Sequence, residues 1–414
     1  MMACRACASA DLTTLFNLGI QPPANAYLAS LDEPEVRYPL ALAFCRACGL
    51  AQLRDPQPPA LYRNYRYLTG ASAAARQYWA DYAEQAIAPR VAGGDLVIDI
   101  GGNDGTLLAQ INPGIRRINV DPAANLAEMN ETKGIEFVPQ ALDQDLAEDI
   151  VENYGPARVV CANNVLAHTD APAALLRAIA TLLGEEGTLI AEVHWAHHLI
   201  TAGCWDQIYH EHACYYSLGS FIPMLLACGL QLDHAQVVPS QGQSLRLFCT
   251  VLKSIQDFYC DMPTAVARLL EQERAADLDR EDIWQELATQ AYATQIELVN
   301  LLTKLKHQGK RIVGYGAPAK GNTLLNFCHI GTSILDYLTD TTHMKQGLYA
   351  PGTRIPIVHP ARLKQESPDY ALLLAWNHRE AILAQERALI ARGTRFITAM
   401  PKVEVLEPAH VEAA

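Results

Sequence analysis

Four consecutive residues, Tyr209-His210-Glu211-His212, bring two imidazoles, a carboxylate and a phenol together. A His-x-His pair does not set both rings on one helical face, which needs a spacing of three or four. No third metal ligand stands at a diagnostic distance. Acid–base chemistry fits the residues better. Imidazole titrates near neutrality, and a neighbouring carboxylate raises its basicity and fixes its tautomer. A phenol can hydrogen-bond a carbonyl or a developing oxyanion. Another imidazole, His168, follows the aliphatic run ARVVCA and the pair Asn163-Asn164. The carboxyl end of a parallel strand is where open α/β sheets bind ligands.

The cysteines suggest a metal rather than a reaction. Cys4-x-x-Cys7 and Cys45-x-x-Cys48 form two knuckles. Together they supply four thiolates, a closed tetrahedral shell for a structural zinc ion. The long stretch between the pairs is tolerable, because loop-closure entropy grows slowly with length.

Two glycine turns follow aliphatic strands. In LVIDIGGNDGTLL, Asp99, Gly101, Asn103 and Gly105 stand two apart before an expected helix, LLAQIN. Small residues let a backbone approach a ligand, and Asn tolerates the left-handed region. The spacing is not the G-x-G-x-x-G of a dinucleotide site. About twenty residues on, Asp121 ends RRINVDP, where a carboxylate can accept both ribose hydroxyls of an adenosyl group. This turn with its second-strand acid resembles the class I S-adenosylmethionine (SAM)-dependent methyltransferases. The second turn, GYGAPAKGNTLLN, has Asn322-Thr323 after Gly321 where a phosphate loop needs Lys-Thr, with Lys320 one place early. That excludes ATP hydrolysis. The helix start with Lys320 and Asn322 still suits an anion. Asp340 could hold a ribose or cap a helix, and Trp376-Asn377 end another strand.

These residues need a scaffold. LVIDI, RINV, ARVVCAN and GTLIAEV read as buried parallel strands alternating with helices such as APAALLRAIATLL. Residues 260–308 carry helical periodicity. RIVGYGA, SILDYLTD and PDYALLLAW begin a second α/β run. The expected parts are a zinc domain (1–70), a Rossmann-like domain (71–258), and a helical connection with a second Rossmann-like domain (259–414). A net charge of −13 without a basic run excludes a nucleic-acid partner. No apolar stretch reaches about 18 residues, and the start is too polar for a signal peptide. Eleven cysteines, four of them in CxxC pairs, suit a reducing compartment. A soluble cytoplasmic protein is expected.

Taken in order, the two CxxC pairs, IQPPANAYL, NNVLAHT, IYHEHACYYS, GYGAPAKGNTLL, PGTRIPIVHP and PDYALLLAWN span nearly the whole chain. They resemble the sugar C-methyltransferases of deoxysugar pathways. The resemblance implies SAM, a structural zinc ion and a nucleotide-linked 4-keto-deoxyhexose, often a dTDP-sugar methylated at C3. It implies His212 as the base, with Glu211 and Tyr209 as polar partners and His168 near the reacting ketone. A tyrosine of YRNYRYLTGAS enters the site in that family, and Tyr65 and Tyr67 are both candidates. The C-terminal domain would help to hold the nucleotide, and a monomer or weak oligomer is permitted. One departure stands out: Gln241-Gly242-Gln243-Ser244-Leu245-Arg246 replaces a His-Gly-Gly-Ser-Leu-Arg stretch. Its Arg246 is open to a diphosphate contact or a surface ion pair. Two rival readings are an NAD-dependent nucleotide-sugar oxidoreductase or epimerase, and a non-catalytic zinc adaptor.

Overall fold

The computed structural model describes residues 3–58, 61–62 and 68–406. The chain forms two compact units. The first gathers the N-terminal stretch through Thr13, Ala43–His197 and His212–Arg280. The second gathers Thr14–Leu42, His198–Glu211 and the chain from Glu281 onward.

The first unit is built on a seven-stranded sheet. Its strands are β1 (Leu96–Ile100), β2 (Arg116–Val120), β3 (Glu136–Val138), β4 (Ala157–Asn163), β5 (Leu183–His194), β6 (Leu230–Val238) and β7 (Ser244–Val251). Their order is β6-β7-β5-β4-β1-β2-β3. The first five strands in sequence are mutually parallel, while β7 runs antiparallel to β5 and β6. β1 and β4 are buried almost throughout. That explains why they read as continuous apolar runs rather than alternating ones. The order reverses at β1, so the switch point lies between the carboxyl ends of β1 and β4. The helix Pro172–Leu182 starts on Pro172 and buries Leu175, Leu176, Ile179 and Leu182 at helical spacing, as expected. LLAQIN does not form the expected helix. Only a single 3₁₀ turn, Leu108–Gln110, is present, because Asn112-Pro113 follows at once and the residue before a proline avoids the helical region.

Short strands outside this sheet tie the second cysteine knuckle to the segment that follows His212. Ala51–Leu53 pairs antiparallel with Cys214–Tyr215. The Leu53 N–H donates to Ala213 O at 2.9 Å.

The second unit holds a six-stranded sheet of β8 (Ile312–Tyr315), β9 (Leu338–Thr339), β10 (Ile357–Val358), β11 (Tyr370–Leu373), β12 (Arg395–Thr398) and β13 (Glu404–Leu406), in the order β10-β9-β8-β11-β12-β13. All neighbours are parallel except β12 and β13. The long helix Glu281–His307 falls within the stretch of helical periodicity, and the helix Ala319–Phe327 opens at the second glycine turn. No helix among the described residues is long and apolar enough to cross a membrane.

A buried carboxylate stabilises the first unit. Glu273 accepts from the Trp195 indole N–H (2.7 Å), the Leu218 N–H (2.7 Å) and the Gly219 N–H (3.0 Å). The last two belong to the first turn of the helix Leu218–Ala227, where unmet donors favour an anion. Removing the carboxylate strands three donors. Glu273→Ala should therefore lower the free energy of unfolding by about 3 kcal/mol, measured by urea titration, with Glu273→Gln losing less.

Candidate active site

The first glycine turn is held from several sides. The Gly101 N–H donates to Val120 O at 2.8 Å. Gly101 has φ +65°, and a Cβ there would lie 2.5 Å from Val165 Cγ2, so the position requires glycine. Asn103 takes the left-handed region at φ +52°, and Gly105 also has positive φ. Asp121 accepts the Asn103 N–H on Oδ2 (2.9 Å) and the Ala123 N–H on Oδ1 (2.8 Å). Burial raises its carboxyl pKa, opposed by those two bonds. Asp99 lies beneath the turn, where a Cβ on Gly102 would come within 2.7 Å of its Oδ2. Burial, and then the charge of Asp121, hold its carboxyl well above the usual range. Sequence reasoning missed one support. Asn119 accepts from Gly102 N–H and donates to Asn103 O and to Asn130 Oδ1. The only signal was a polar residue inside a buried strand.

Three imidazoles meet at the carboxyl edge of the same sheet. The His212 ring lies 5.2 Å from that of His168 and 4.5 Å from that of His194. Backbone bonds hold them there: the Ala213 N–H donates to Ala167 O (2.6 Å), and the Ala196 N–H donates to Tyr216 O (2.9 Å). His194 was not singled out from sequence. His168 Nε2 is buried without a hydrogen-bond partner. Burial, and then the charge of His194, lower its pKa from 6.5 to about 3, so the ring is neutral at neutral pH. Tyr62 stacks on His168 at 5.6 Å. Tyr65 and Tyr67 lie outside the described residues.

Beside the histidines, Asn163 ends β4 as the register partner of Glu192 on β5. Glu192 is in turn the partner of Arg246 on β7. The Arg246 Nε donates to Glu192 Oε1 at 2.8 Å, and the guanidinium lies 4.2 Å over the Tyr82 ring. Arg246 is 4 % exposed, so its ion pair is buried rather than at the surface.

The cysteine sulfurs of Cys4, Cys7, Cys45 and Cys48 all lie within 4.8 Å of one another. Cys4–Cys48 and Cys7–Cys45 are each separated by 3.6 Å. Four sulfurs around zinc at about 2.3 Å would stand about 3.8 Å apart, so the set fits the ion closely.

The remaining candidates lie in the second unit. Glu211 Oε1 accepts from Asn25 Nδ2 at 2.6 Å. Tyr209 belongs to the same segment, which ends at Glu211. The second glycine turn is latched by Asp340, which accepts the Ala317 N–H at 2.9 Å and the Thr342 N–H at 2.8 Å. The acid is thus engaged with the turn itself. Lys320 lies 4.7 Å over the Trp376 ring, and the Trp376 indole donates to Asp206 at 2.6 Å. Asn322 is buried and donates to Ala24 O at 2.8 Å.

Comparison with known proteins decides the family. Residues 4–62 match a zinc binding domain, 72–235 a methyltransferase domain, and 239–401 a C-methyltransferase C-terminal domain. C-methyltransferase NovU of Streptomyces niveus is 31% identical over 410 residues, covering 97% of this chain and 96% of that protein. The chain belongs to the C-methyltransferase family. Among solved structures, a magnesium protoporphyrin IX methyltransferase from Synechocystis PCC 6803 with bound SAM is 17% identical, covering 43% of this chain and 79% of that one, with a TM-score of 0.32. A SAM-dependent methyltransferase from Clostridium acetobutylicum is 12% identical, covering 43% and 92%, with a TM-score of 0.34. At these scores the likeness adds nothing to the site.

This C-methyltransferase uses SAM, and the residues present fit it. The Gly101 turn has no room for a side chain, Asp121 faces the turn, and the β4 edge presents buried polar atoms without partners at Asn163 Nδ2 and Asn164 Oδ1. The four cysteines hold zinc, which has no open position for chemistry. The oxidoreductase and adaptor readings fall with the family assignment. Elemental analysis of the purified protein should find a stoichiometric zinc ion that Cys45→Ser loses, with a melting temperature several degrees lower. The buried His168 gives a pH dependence. Its folded pKa, about 3, lies below the ordinary 6.5, so its contribution to stability is fully present above pH 6.5 and declines as the pH falls toward 3. Urea titrations between pH 7 and pH 4 should show a shallower decline in His168→Phe than in the wild type.

Proposed function

We propose that this C-methyltransferase acts on a nucleotide-linked 4-keto-deoxyhexose, with a dTDP-sugar methylated at C3 as the leading case, through an enolate. A sugar carbon is no nucleophile until it loses a proton, and an adjacent ketone makes that proton acidic by spreading the charge onto oxygen. His212 takes the proton, and the electron pair moves onto the ketone oxygen. SAM, when bound, supplies an electrophilic methyl group on its sulfonium. His168, neutral and with Nε2 unpartnered, donates to the enolate oxygen, as an oxyanion donor should in a water-poor site. Glu211 and Tyr209 are the polar partners in the tetrad. Tyr65 or Tyr67 approaches the sugar. Lys320 and the start of its helix meet the diphosphate, together with Asn322. Arg246, engaged with Glu192, takes a positioning role instead. The three functional parts are those of residues 1–70, 71–258 and 259–414.

The observation that carries this reading is the meeting of His212, His168 and His194 at the carboxyl edge of a SAM-binding sheet. The test separates proton removal from methyl transfer. In D2O with the keto-sugar nucleotide and no SAM, the wild type should wash deuterium into the carbon beside the ketone. His212→Gln should lose that exchange and methyl transfer by about a hundredfold or more, while calorimetric SAM binding survives. Exchange at the wild-type rate in His212→Gln would overturn the base assignment.

A further inference from the structure

The family assignment names SAM but not the residues that receive its amino-acid end. Two buried atoms stand ready for it. Glu192 is fully buried. Its Oε1 takes the Arg246 Nε and the Tyr78 hydroxyl at 2.7 Å; the Ser240 hydroxyl also approaches the carboxylate, yet Oε2 has no partner at hydrogen-bond geometry. Asn163, its register partner on the neighbouring strand, accepts the Tyr82 hydroxyl on Oδ1 at 3.0 Å, and its Nδ2 is likewise buried without a partner. Register partners on parallel strands project from the same face of a sheet. Tyr78 and Tyr82, four apart on the helix Ala73–Tyr82, therefore hold both side chains from one helical face.

Each unmet atom is costly where it stands, and the two have opposite character. One is a carboxylate acceptor and the other an amide donor, and both sit on β4 and β5 next to the switch point. A sugar hydroxyl would be met by either alone. A zwitterionic amino acid presents an ammonium and a carboxylate together and answers both. We infer that Glu192 Oε2 receives the α-ammonium of the SAM methionyl moiety, and that Asn163 Nδ2 donates to its α-carboxylate. Arg246, Tyr78 and Tyr82 are positioning residues that fix the rotamers of this pair. The inference rests on SAM binding alone and is independent of the enolate step.

Calorimetry on the full-length zinc-bound protein tests it with three non-reactive ligands: S-adenosylhomocysteine, its analogue lacking the α-amino group, and methylthioadenosine, which lacks the whole amino-acid end. In the wild type, removing the amino group should weaken binding about tenfold or more. In Glu192→Gln, S-adenosylhomocysteine should weaken by a similar factor, the des-amino analogue should change little, and methylthioadenosine should bind within about twofold of the wild type. A structural role alone would lower all three equally, and that result would overturn the assignment. So would a wild type indifferent to the amino group. Should Glu192→Gln fail to fold, Asn163→Asp sets a carboxylate against the ligand carboxylate. It should weaken S-adenosylhomocysteine about tenfold or more and leave methylthioadenosine unchanged; equal loss for both ligands would again refute the proposal.

Discussion

The segment Ala213–Tyr216 is held by the backbone on two sides, and the histidine geometry depends on it. On one side Leu53 N–H reaches Ala213 O; on the other Ala213 N–H reaches Ala167 O, and Ala196 N–H reaches Tyr216 O. The Tyr216 hydroxyl adds a bond to Leu166 O at 2.8 Å. Three stretches far apart in sequence are thereby set beside one another at main-chain distances, and each carries an imidazole. Side chains on such a frame need little further ordering, so the entropy of bringing the three rings together is met during folding.

Around that frame the protein concentrates polar groups where water is scarce. Asp99, Asp121 and Glu192 all have carboxyl pKa values raised by burial, and His168 is driven to its neutral form by the same cause. These groups persist because partners offset part of the cost. Glu192 has Arg246 and Tyr78, while Asp121 has two backbone N–H groups. The atoms left over lie along the strand ends, where a ligand can complete them. The arrangement makes the empty fold less comfortable than the occupied one, which favours binding over hydration.

Much of this was legible in the chain. LVIDI and ARVVCAN read as nearly continuous apolar runs because those strands are buried almost throughout, whereas RINV alternates Arg117 and Asn119 with Ile118 and Val120. The paired cysteines form a compact set of sulfurs. What could not be read was the pairing of isolated polar residues across the sheet. Glu192 and Arg246 are 54 positions apart, and Tyr78 is 114 from Glu192; strand register brings the first two together, and the helix Ala73–Tyr82 brings Tyr78 to them. His194 looked like the end of an aliphatic run. LLAQIN has helical composition, but Pro113 follows too soon for a helix to grow. Asp340 stood open between a ribose contact and a cap, and its two bonds to the backbone of its own turn could not be read from the chain.

The cysteine knuckles bear on how this enzyme would be misread at the bench. Arg5, between Cys4 and Cys7, ties the knuckle to the loop after His168: its backbone N–H donates to Gln52 Oε1, and its guanidinium pairs with Asp170, two residues beyond His168. The strand that follows the second knuckle is the one bonded to Ala213. Stripping the ion would therefore unsettle the histidines without touching any reacting atom. A chelator would abolish turnover, and the enzyme would pass for a metal-dependent catalyst although its metal serves only as a rivet.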